Sequence, residues 1–141
     1  MEDRKRRLLW HGMMLFFLGL LTGLAGPVFI NPRMGLAAHL EGVLNGIFLL
    51  ALGSIWSELR LSPGLRTAAY GTTLYAAYAN WAVTTLAALF GTVAMTPIAA
   101  AGHGARPWQE ILVTVGFVSV GLAILAGTLL VLRGLRRDAT P

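Results

Sequence analysis

The stretch LLWHGMMLFFLGLLTGLAGPVFI, residues 8–30, determines the fold class of this chain. It contains no Lys, Arg, Asp or Glu, and a helix needs about 20 apolar residues to cross the hydrocarbon core of a bilayer. Further charge-free runs cover residues 42–57, 67–105 and 111–132. The sequence therefore predicts an integral membrane protein with four spans.

The composition of the 141 residues agrees with this interpretation. Hydrophobic residues make up 56% of the chain, charged residues make up 12%, and the mean hydropathy is +0.69, whereas soluble domains carry about 25% charged residues. Four spans with short loops use the whole length, so we expect a single transmembrane domain, 1–141. The chain has no cysteine, which excludes disulfides, thiolate nucleophiles and Cys-ligated metal centres.

The predicted fold is an all-α, four-helix transmembrane bundle. Pro27 and Pro32 are expected to end the first helix, because proline lacks the N–H that a continuing helix requires. No small-x-small cleavage pattern follows the first apolar run, so we expect a retained span and not a secretory signal. The stretch 92–107 is too rich in Pro and Gly for a helix and predicts a long, functional loop. The four helices are expected at about 9–28, 36–58, 67–91 and 108–132.

The distribution of basic residues predicts the orientation. Nine of the 11 Lys and Arg residues lie before the first span, between the second and third spans or after the fourth, and only Arg33 and Arg106 lie on the other side. The positive-inside rule then places both termini in the cytoplasm, as in a multi-pass protein of the bacterial inner membrane. Because the basic residues flank apolar runs and form no contiguous patch, we expect membrane lipid and not nucleic acid as a partner.

With this topology, the ionisable residues outside the basic segments gather at the outward end. Glu41 is the strongest candidate, because an ionisable residue within a span is a functional-site hypothesis by default. Asn45 lies four residues later on the same helical face, whereas His39 lies about 160° away from Glu41. The third helix carries a matching stripe of small and polar residues at helical spacing. The outward group is Arg33, His39, Glu41, His103, Arg106 and Glu110, and the stripe is Thr73, Ala77, Asn80, Thr84 and Ala88.

Other conspicuous residues are interpreted structurally. His11, beside the N-terminal basic cluster, is expected to be structural or solvated. The GxxxG spacings are typical of helix packing, and with four short helices they predict a homo-oligomer. Trp10, Trp56 and Trp108 lie near the predicted interfaces and are expected to anchor the helices there. The GxxxG pairs are Gly19 with Gly23 and Gly42 with Gly46.

A metal or haem site is an alternative use of the same outward residues. His39, His103, Glu41 and Glu110 are all possible ligands. The sequence contains no HxxxH, ExxH or CxxCH pattern among them, so their spacing favours no particular metal. We therefore expect no cofactor, with a metal or haem bound through these four residues as the alternative.

A more specific signal comes from six strings that span most of residues 11–115. Their polar residues are not those that a random apolar helix would supply. They resemble the hydroxylaminobenzene mutase family, whereas the two terminal segments contribute little to the match. The strings are HGMMLFFLGLLTGL, NPRMGLAAHLEG, NGIFLLALG, YANW, MTPIAAAGH and PWQEILV.

The resemblance implies an isomerase that moves the hydroxyl of an aryl hydroxylamine from nitrogen to the ring. Hydroxylaminobenzene would give 2-aminophenol in an intramolecular, Bamberger-type rearrangement. This chemistry needs an acid to protonate the leaving oxygen, a nearby anion, hydrogen-bonding groups that hold the hydroxyl, and a base. The candidate catalytic residues are Glu41, His39, His103 and Glu110, and the candidate substrate-binding residues are Asn45, Asn80, Trp81, Trp108 and Arg33.

Two other functional classes fit the residues without the resemblance. The first is a small proton-coupled exporter of aromatic cations, in which Glu41 alternates between a proton and the substrate. The second is a haem-anchoring or assembly subunit. Turnover of a hydroxylamine in detergent separates the isomerase from the exporter, because an exporter performs no chemistry on its cargo.

Overall fold

The computed structural model describes residues 2–136, and this part of the chain is helical without strands. Arg137, one of the basic residues that predict the orientation, lies outside the described residues. Short 3₁₀ turns at Gly26–Val28 and Trp56–Glu58 follow the first two helices. The helices are α1 Glu2–Leu24, α2 Pro32–Ser54, α3 Pro63–Phe90, the single turn α4 Pro97–Ala100, and α5 Pro107–Leu135.

The four long helices do not form a symmetric bundle. The main packing partner of α1 is α2, which also packs on α3, and α5 lies on the other side of α3. Contacts between α1 and α3 complete a group of three helices, whereas α5 packs chiefly on α3. The core consequently lies around α3, and most of the surface of α5 is exposed.

Glycines allow α1 and α2 to approach closely. A Cβ at Gly19 would lie 2.6 Å from the backbone nitrogen of Val43, and one at Gly46 would lie 2.6 Å from that of Phe16. Such backbone contact between membrane helices requires small residues. The predicted packing role of these glycines is confirmed. Because that packing lies within one chain, the glycines do not support the homo-oligomer that they were expected to indicate.

Three of the helices are long and apolar enough to cross a membrane, namely α1 from Asp3, α2 and α5. The expected fourth span, α3, does not reach the same apolarity within the described residues. Asn80, three tyrosines and the threonines lower its hydropathy, and the threonine hydroxyls bond within the helix. Thr73 Oγ1, for example, donates to the carbonyl of Ala69 at 2.7 Å, and Thr84 Oγ1 to that of Asn80 at 2.7 Å. The sequence prediction of four apolar spans therefore holds for three helices.

The helix boundaries correct the expected roles of the prolines. The first helix begins at Glu2 and ends at Leu24, before Pro27, instead of covering 9–28. Pro32 does not end a helix but begins α2, where a first-turn residue needs no N–H partner. Asn31 caps this helix, since its side chain accepts from the backbone N–H of Met34 at 3.2 Å. The second helix consequently starts and ends about four residues earlier than the predicted 36–58.

The expected interfacial tryptophans divide into two groups. Trp10 and Trp108 are exposed, as an anchor would be. Trp56 is fully buried in the cluster of Leu8, Leu49 and Leu52, so its prediction as an interfacial anchor is wrong. The 3₁₀ turn after α2 folds the indole back into the core instead of leaving it on a helix surface.

The bundle has two chemically distinct ends. At the basic end, α1 and α3 begin while α2 and α5 finish, and the backbone N–H of Arg60 donates to the carbonyl of Gly134 at 2.8 Å. At the opposite loop end, residues 91–106 cover the ends of α2 and α3. There the backbone N–H of Asn31 donates to the carbonyl of Ala88 at 3.1 Å. The candidate residues predicted from the sequence, from Glu41 within α2 to His103 in the loop, lie between the middle of the bundle and this loop end.

Candidate functional site

A carboxylate held by two side-chain amides lies between α2 and α3. Asn45 Nδ2 donates to Glu41 Oε2 at 2.9 Å, and Asn80 Nδ2 donates to the same oxygen at 2.5 Å. Asn45 Nδ2 also donates to the backbone carbonyl of Glu41 at 2.8 Å, so this amide directs both of its N–H groups at one residue. We call Glu41, Asn45 and Asn80 the amide–carboxylate cluster.

The helical geometry places this cluster near the middle of the bundle along its length. Glu41 is nine residues from the start of α2, which corresponds to about 14 Å of helix. Asn80 lies ten residues before the end of α3, at a similar depth of about 15 Å. All three side chains are half-buried. A charge at this depth is costly unless it is paired or hydrogen-bonded, and here it accepts two hydrogen bonds.

His39 faces away from the amide–carboxylate cluster. Its Nδ1 lies 2.8 Å from the carbonyl oxygen of Gly19 on α1, and its ring packs where a Cβ on Gly23 would otherwise lie. This orientation follows from the helical angle between His39 and Glu41. His39 lines a cleft of about 550 Å³ with Pro32, Gly35 and residues of α1. The structure therefore separates His39 from Glu41, although both were candidate catalytic residues.

Trp81 belongs to the contact between α1 and α3. Its Nε1 donates to Thr22 Oγ1 at 2.9 Å, and its ring lies against Gly42. The indole also lines a small groove of about 300 Å³ together with Leu18, Leu21 and other apolar residues. It neighbours the cluster through Asn80 and Gly42, but its N–H is already bonded within the protein.

Glu110 is bound to the loop by backbone groups. Its carboxylate accepts from the N–H of Val93 at 2.9 Å, from that of Ala94 at 2.9 Å and from that of Ala105 at 3.3 Å. These three donors come from the two ends of the loop, so one side chain in the first turn of α5 closes it. The geometry assigns Glu110 to loop structure, in contrast with Glu41.

The remaining candidates of the loop end also bond to the loop itself. His103 Nδ1 lies 2.9 Å from the carbonyl of Ala100, and Arg33 Nη1 donates to the carbonyl of Ile98 at 3.4 Å. Trp108 is 55% exposed and packs edge-on against Phe90 with ring centroids 5.6 Å apart. None of these three contacts the amide–carboxylate cluster in the hydrogen bonds and aromatic pairs of residues 2–136.

The possible metal ligands of the sequence are dispersed in the fold. Within residues 2–136, no three His, Asp or Glu side chains come together as a potential metal site. His39 bonds to α1, Glu41 to the two asparagines, and Glu110 to the loop. The four residues named as an alternative ligand set therefore do not converge on one point.

Asn31 is a structural residue that the sequence analysis missed. It is 1% exposed, and its Nδ2 donates to the carbonyls of Ala99 at 2.8 Å and Ala100 at 3.2 Å. It therefore joins the start of α2 to α4 in the loop. The available signal was the dipeptide Asn31-Pro32, since Asn before a first-turn Pro is a typical helix cap.

A second missed feature is the pairing of His11 with Tyr78. His11 Nδ1 lies 3.1 Å from the hydroxyl of Tyr78, which also lies 3.3 Å from the His11 carbonyl. The rings meet edge to face with centroids 5.6 Å apart. His11 is thus part of the contact between α1 and α3. No spacing within either helix could indicate this pair, because the two residues are 67 positions apart.

Comparison with known proteins identifies relatives over nearly the whole chain. A family model described as styrene oxide isomerase matches residues 4–136. Hydroxylaminobenzene mutase HabB of Ectopseudomonas oleovorans is 52% identical over 132 residues, which cover 93% of this chain and 80% of the relative. Hydroxylaminobenzene mutase HabA of the same organism is 42% identical over 127 residues, covering 89% and 94%. No solved structure matches the chain.

Proposed function

The chain belongs to the styrene oxide isomerase family together with the hydroxylaminobenzene mutases, and we propose that it converts aryl hydroxylamines into ortho-aminophenols. The similarity to two mutases confirms the resemblance seen in the sequence and makes the protein an isomerase-type enzyme. It therefore favours the isomerase over the exporter and the haem-anchoring subunit. The substrate, the product and the mechanism are the parts that we propose.

The observation that supports this proposal most strongly is the amide–carboxylate cluster. Both hydrogen bonds to the Glu41 side chain fall on Oε2. We assign the other oxygen, Oε1, to the substrate. Asn45 directs its N–H groups at Glu41 and acts as a positioning residue, whereas Asn80 has a second N–H and a carbonyl oxygen that can bind the substrate hydroxyl.

In the proposed mechanism, Glu41 moves the proton that the rearrangement requires. Protonated Glu41 gives its proton to the hydroxyl oxygen of the hydroxylamine, and the N–O bond breaks with both electrons going to oxygen. The resulting positive charge spreads over nitrogen and the ring, where the Glu41 carboxylate stabilises it. The released water adds to the ortho carbon and returns its extra proton to Glu41. The ring hydrogen leaves as a proton while nitrogen gains one, so the product is an isomer of the substrate.

The surroundings of the cluster suit this chemistry. The residues next to the cluster on α2 and α3 are small and buried, as Gly42 beside Glu41 and Ala77 one turn from Asn80 show. Exclusion of bulk water would keep the released water beside the ring until it adds. A neutral aryl hydroxylamine is apolar enough to enter between the helices from the lipid. We propose no part in the chemical step for five other candidates, because their side chains bond or pack elsewhere in the fold. These are His39, His103, Glu110, Trp108 and Arg33.

We further propose that α3 is a fourth span and that both termini are cytoplasmic. The length of α3, 28 residues or about 42 Å, is sufficient to cross a bilayer. Two polar residues of this helix, Thr73 and Thr84, are buried within the chain, which offsets its lower hydropathy. Reporter fusions test the orientation: a periplasmic reporter should be active at Gly102 and inactive after the C-terminus, and the reverse pattern would overturn it.

We also propose that the protein is a homo-oligomer in the bacterial inner membrane. The amide–carboxylate cluster is only half-buried within one chain, and a polar group facing lipid is unfavourable. A second copy would cover it. Light scattering of the active protein in detergent should give a mass above one chain, whereas a monomeric mass with full activity would refute this arrangement.

The cofactor-free mechanism remains a proposal beside the metal or haem alternative. His39 is the most available of the alternative ligands, because it lines an open cleft and has one ring nitrogen left after its bond to Gly19. Metal analysis and an absorption spectrum of the purified protein distinguish the two. We expect no stoichiometric metal, and a Soret band that disappears in His39→Ala would favour haem.

The experiment that tests the proposed activity is turnover without a membrane gradient. Purified protein in detergent should convert phenylhydroxylamine to 2-aminophenol, measured by chromatography. An exporter would leave the compound unchanged under these conditions. Absence of any product from folded protein would therefore contradict the proposed function.

A further inference from the structure

A cleft of about 400 Å³ lies at the basic end, far from the amide–carboxylate cluster. Arg66, on its wall, is 14 residues from Asn80 along α3, or about 21 Å. The cleft lies where α1 and α3 begin, beside the charged first turns of α1 that precede its apolar run from Leu8. The lining residues are Asp3, Arg4, Leu61, Pro63, Arg66 and Thr67.

Two arginines from different helices approach this cleft with neutral partners. Arg4 Nη2 donates to Thr67 Oγ1 at 2.9 Å, and its guanidinium lies 5.9 Å from the ring centroid of Tyr70. Arg66 Nη2 donates to the carbonyl of Leu59 at 2.6 Å. The Nε of Arg66 is buried and has no hydrogen-bond partner within the described residues. The single bond from each guanidinium to a neutral group leaves most of its five N–H donors for a ligand, and these planar donors match the oxygens of a phosphate group.

The surrounding charge favours an anion at this end. Asp3 is an acidic residue on the cleft wall, but it is exposed and outnumbered. Within residues 2–136 the basic end carries eight Lys and Arg residues against three acidic ones. The basic residues are Arg4, Lys5, Arg6, Arg7, Arg60, Arg66, Arg133 and Arg136, and the acidic ones are Glu2, Asp3 and Glu58.

The N-terminus of α3 adds a smaller contribution. Pro63, on the cleft wall, is its first residue, and the preceding Ser62 makes no side-chain capping bond. The first-turn N–H groups of a helix carry partial positive charge when no side chain caps them. The main contribution to anion binding nevertheless comes from the two arginines.

We propose that this cleft binds the phosphate group of an anionic phospholipid. The phosphate would lie between Arg4 and Arg66, and the acyl chains would follow the apolar surfaces of α1 and α3 into the membrane. This site is independent of the proposed reaction. It ties the starts of α1 and α3 to the membrane surface and so stabilises the arrangement of these two helices.

Native mass spectrometry of the full chain in detergent tests the proposal by counting bound lipid. The probes are phosphatidylglycerol and, as the matched neutral lipid, phosphatidylcholine with the same acyl chains. We expect phosphatidylglycerol to be retained preferentially. Arg4→Gln should raise its half-saturating concentration about fivefold, the effect of one basic residue at an anionic surface. Arg66→Gln should have a similar effect. Arg4→Gln also removes a bond to Thr67 and Arg66→Gln one to Leu59, so the conclusion rests on a loss of lipid in both variants.

Arg133→Gln is the control, because it removes the same charge at the same end without touching the cleft. An equal loss in Arg133→Gln and Arg4→Gln would mean general attraction by the basic end and would overturn the site. Equal retention of the two lipids would overturn it as well. Inorganic phosphate is the second probe: displacement of the lipid by phosphate supports recognition of the phosphate alone. Arg4-dependent lipid binding without displacement supports recognition of the whole lipid.

Discussion

Glu41 and Glu110 are both acidic residues of apolar helices, yet the protein holds them in different ways. Glu110 accepts from backbone N–H groups at both ends of the loop, which fixes the loop to α5. Within residues 2–136, the Glu41 carboxylate accepts from two side-chain amides on α2 and α3 and from no backbone N–H. The bonds of Glu110 hold a loop in place, because their donors are backbone groups of that loop. The bonds of Glu41 hold only its own side chain and fix no loop or helix end. The comparison shows two ways of holding a carboxylate, and it is the basis on which we assign Glu110 to loop structure and propose Glu41 for the chemistry.

The largest expected effect is on the rate of Glu41→Gln. Glutamine keeps the shape of the side chain but removes its titratable proton and negative charge. The rate of phenylhydroxylamine conversion should fall by about 10²- to 10⁴-fold, as for other positioned acids and bases. The thermal midpoint should hold or rise, because the neutral amide never places a charge inside the apolar bundle, whereas glutamate does whenever it has given up its proton.

Glu58→Gln is the matched control for this variant. Glu58 is exposed in the 3₁₀ turn at the basic end, so the same chemical change there should leave the rate within about twofold of the wild type. Normal turnover by Glu41→Gln would remove the chemical role of Glu41 and would make the two carboxylates equivalent.

A smaller effect is expected for Asn80→Ala. This change removes one of the two donors to Glu41 Oε2 and the group that we assign to the substrate hydroxyl. The rate should fall by about 10- to 100-fold, which corresponds to one hydrogen bond to a charged group. Steady-state kinetics should show the loss in kcat as well as in KM. An unchanged kcat would mean that Asn80 only binds the substrate.

The smallest effect is expected for Glu110→Ala. Its loss of three backbone donors should lower the free energy of unfolding by only about 1 kcal/mol, because the carboxylate is close to solvent. Limited proteolysis should detect faster cleavage within 91–106, while the rate with phenylhydroxylamine stays within about threefold of the wild type. A rate loss as large as that of Glu41→Gln, with the loop still protected, would contradict the structural role of Glu110.

The juxtaposition at the centre of the bundle could be predicted from helical spacing. Asn45 is one turn from Glu41, and Asn80 belongs to the small and polar stripe of α3. The family was also predicted from the sequence, and it is confirmed by the matching model and relatives. The first prediction rests on helical periodicity and the second on unusual polar strings. Both signals can be recognised in the sequence without knowledge of the tertiary contacts.

The details of the loop end could not be predicted, for a physical reason. The sequence predicts that His39, His103 and Glu110 lie at the same end of the bundle as Glu41, with His39 on another helical face. It does not predict their partners, which are backbone groups of α1 and of the loop. Backbone donors and acceptors have no sequence signature, since every residue except proline carries both. The separation of Glu110 from Glu41 required the tertiary structure.

The same limitation explains the errors at the helix ends. Proline was interpreted as a terminator at Pro32, although the capping side chain of Asn31 makes it a helix start. Trp56 was interpreted from its position near a predicted boundary, but the 3₁₀ turn directs it into the core. A capping side chain decides the first case and a three-residue turn decides the second, and composition alone predicts neither.

The central claim is that the cluster of Glu41, Asn45 and Asn80 performs an isomerisation in which the hydroxyl never leaves the site. Turnover of phenylhydroxylamine in ¹⁸O-labelled water, with mass spectrometry of the 2-aminophenol, tests it most directly. The account predicts an unlabelled product, because the released water adds to the ring before it exchanges with bulk solvent. Substantial label in the product would contradict the account, since solvent would then attack a cation that the site does not shield.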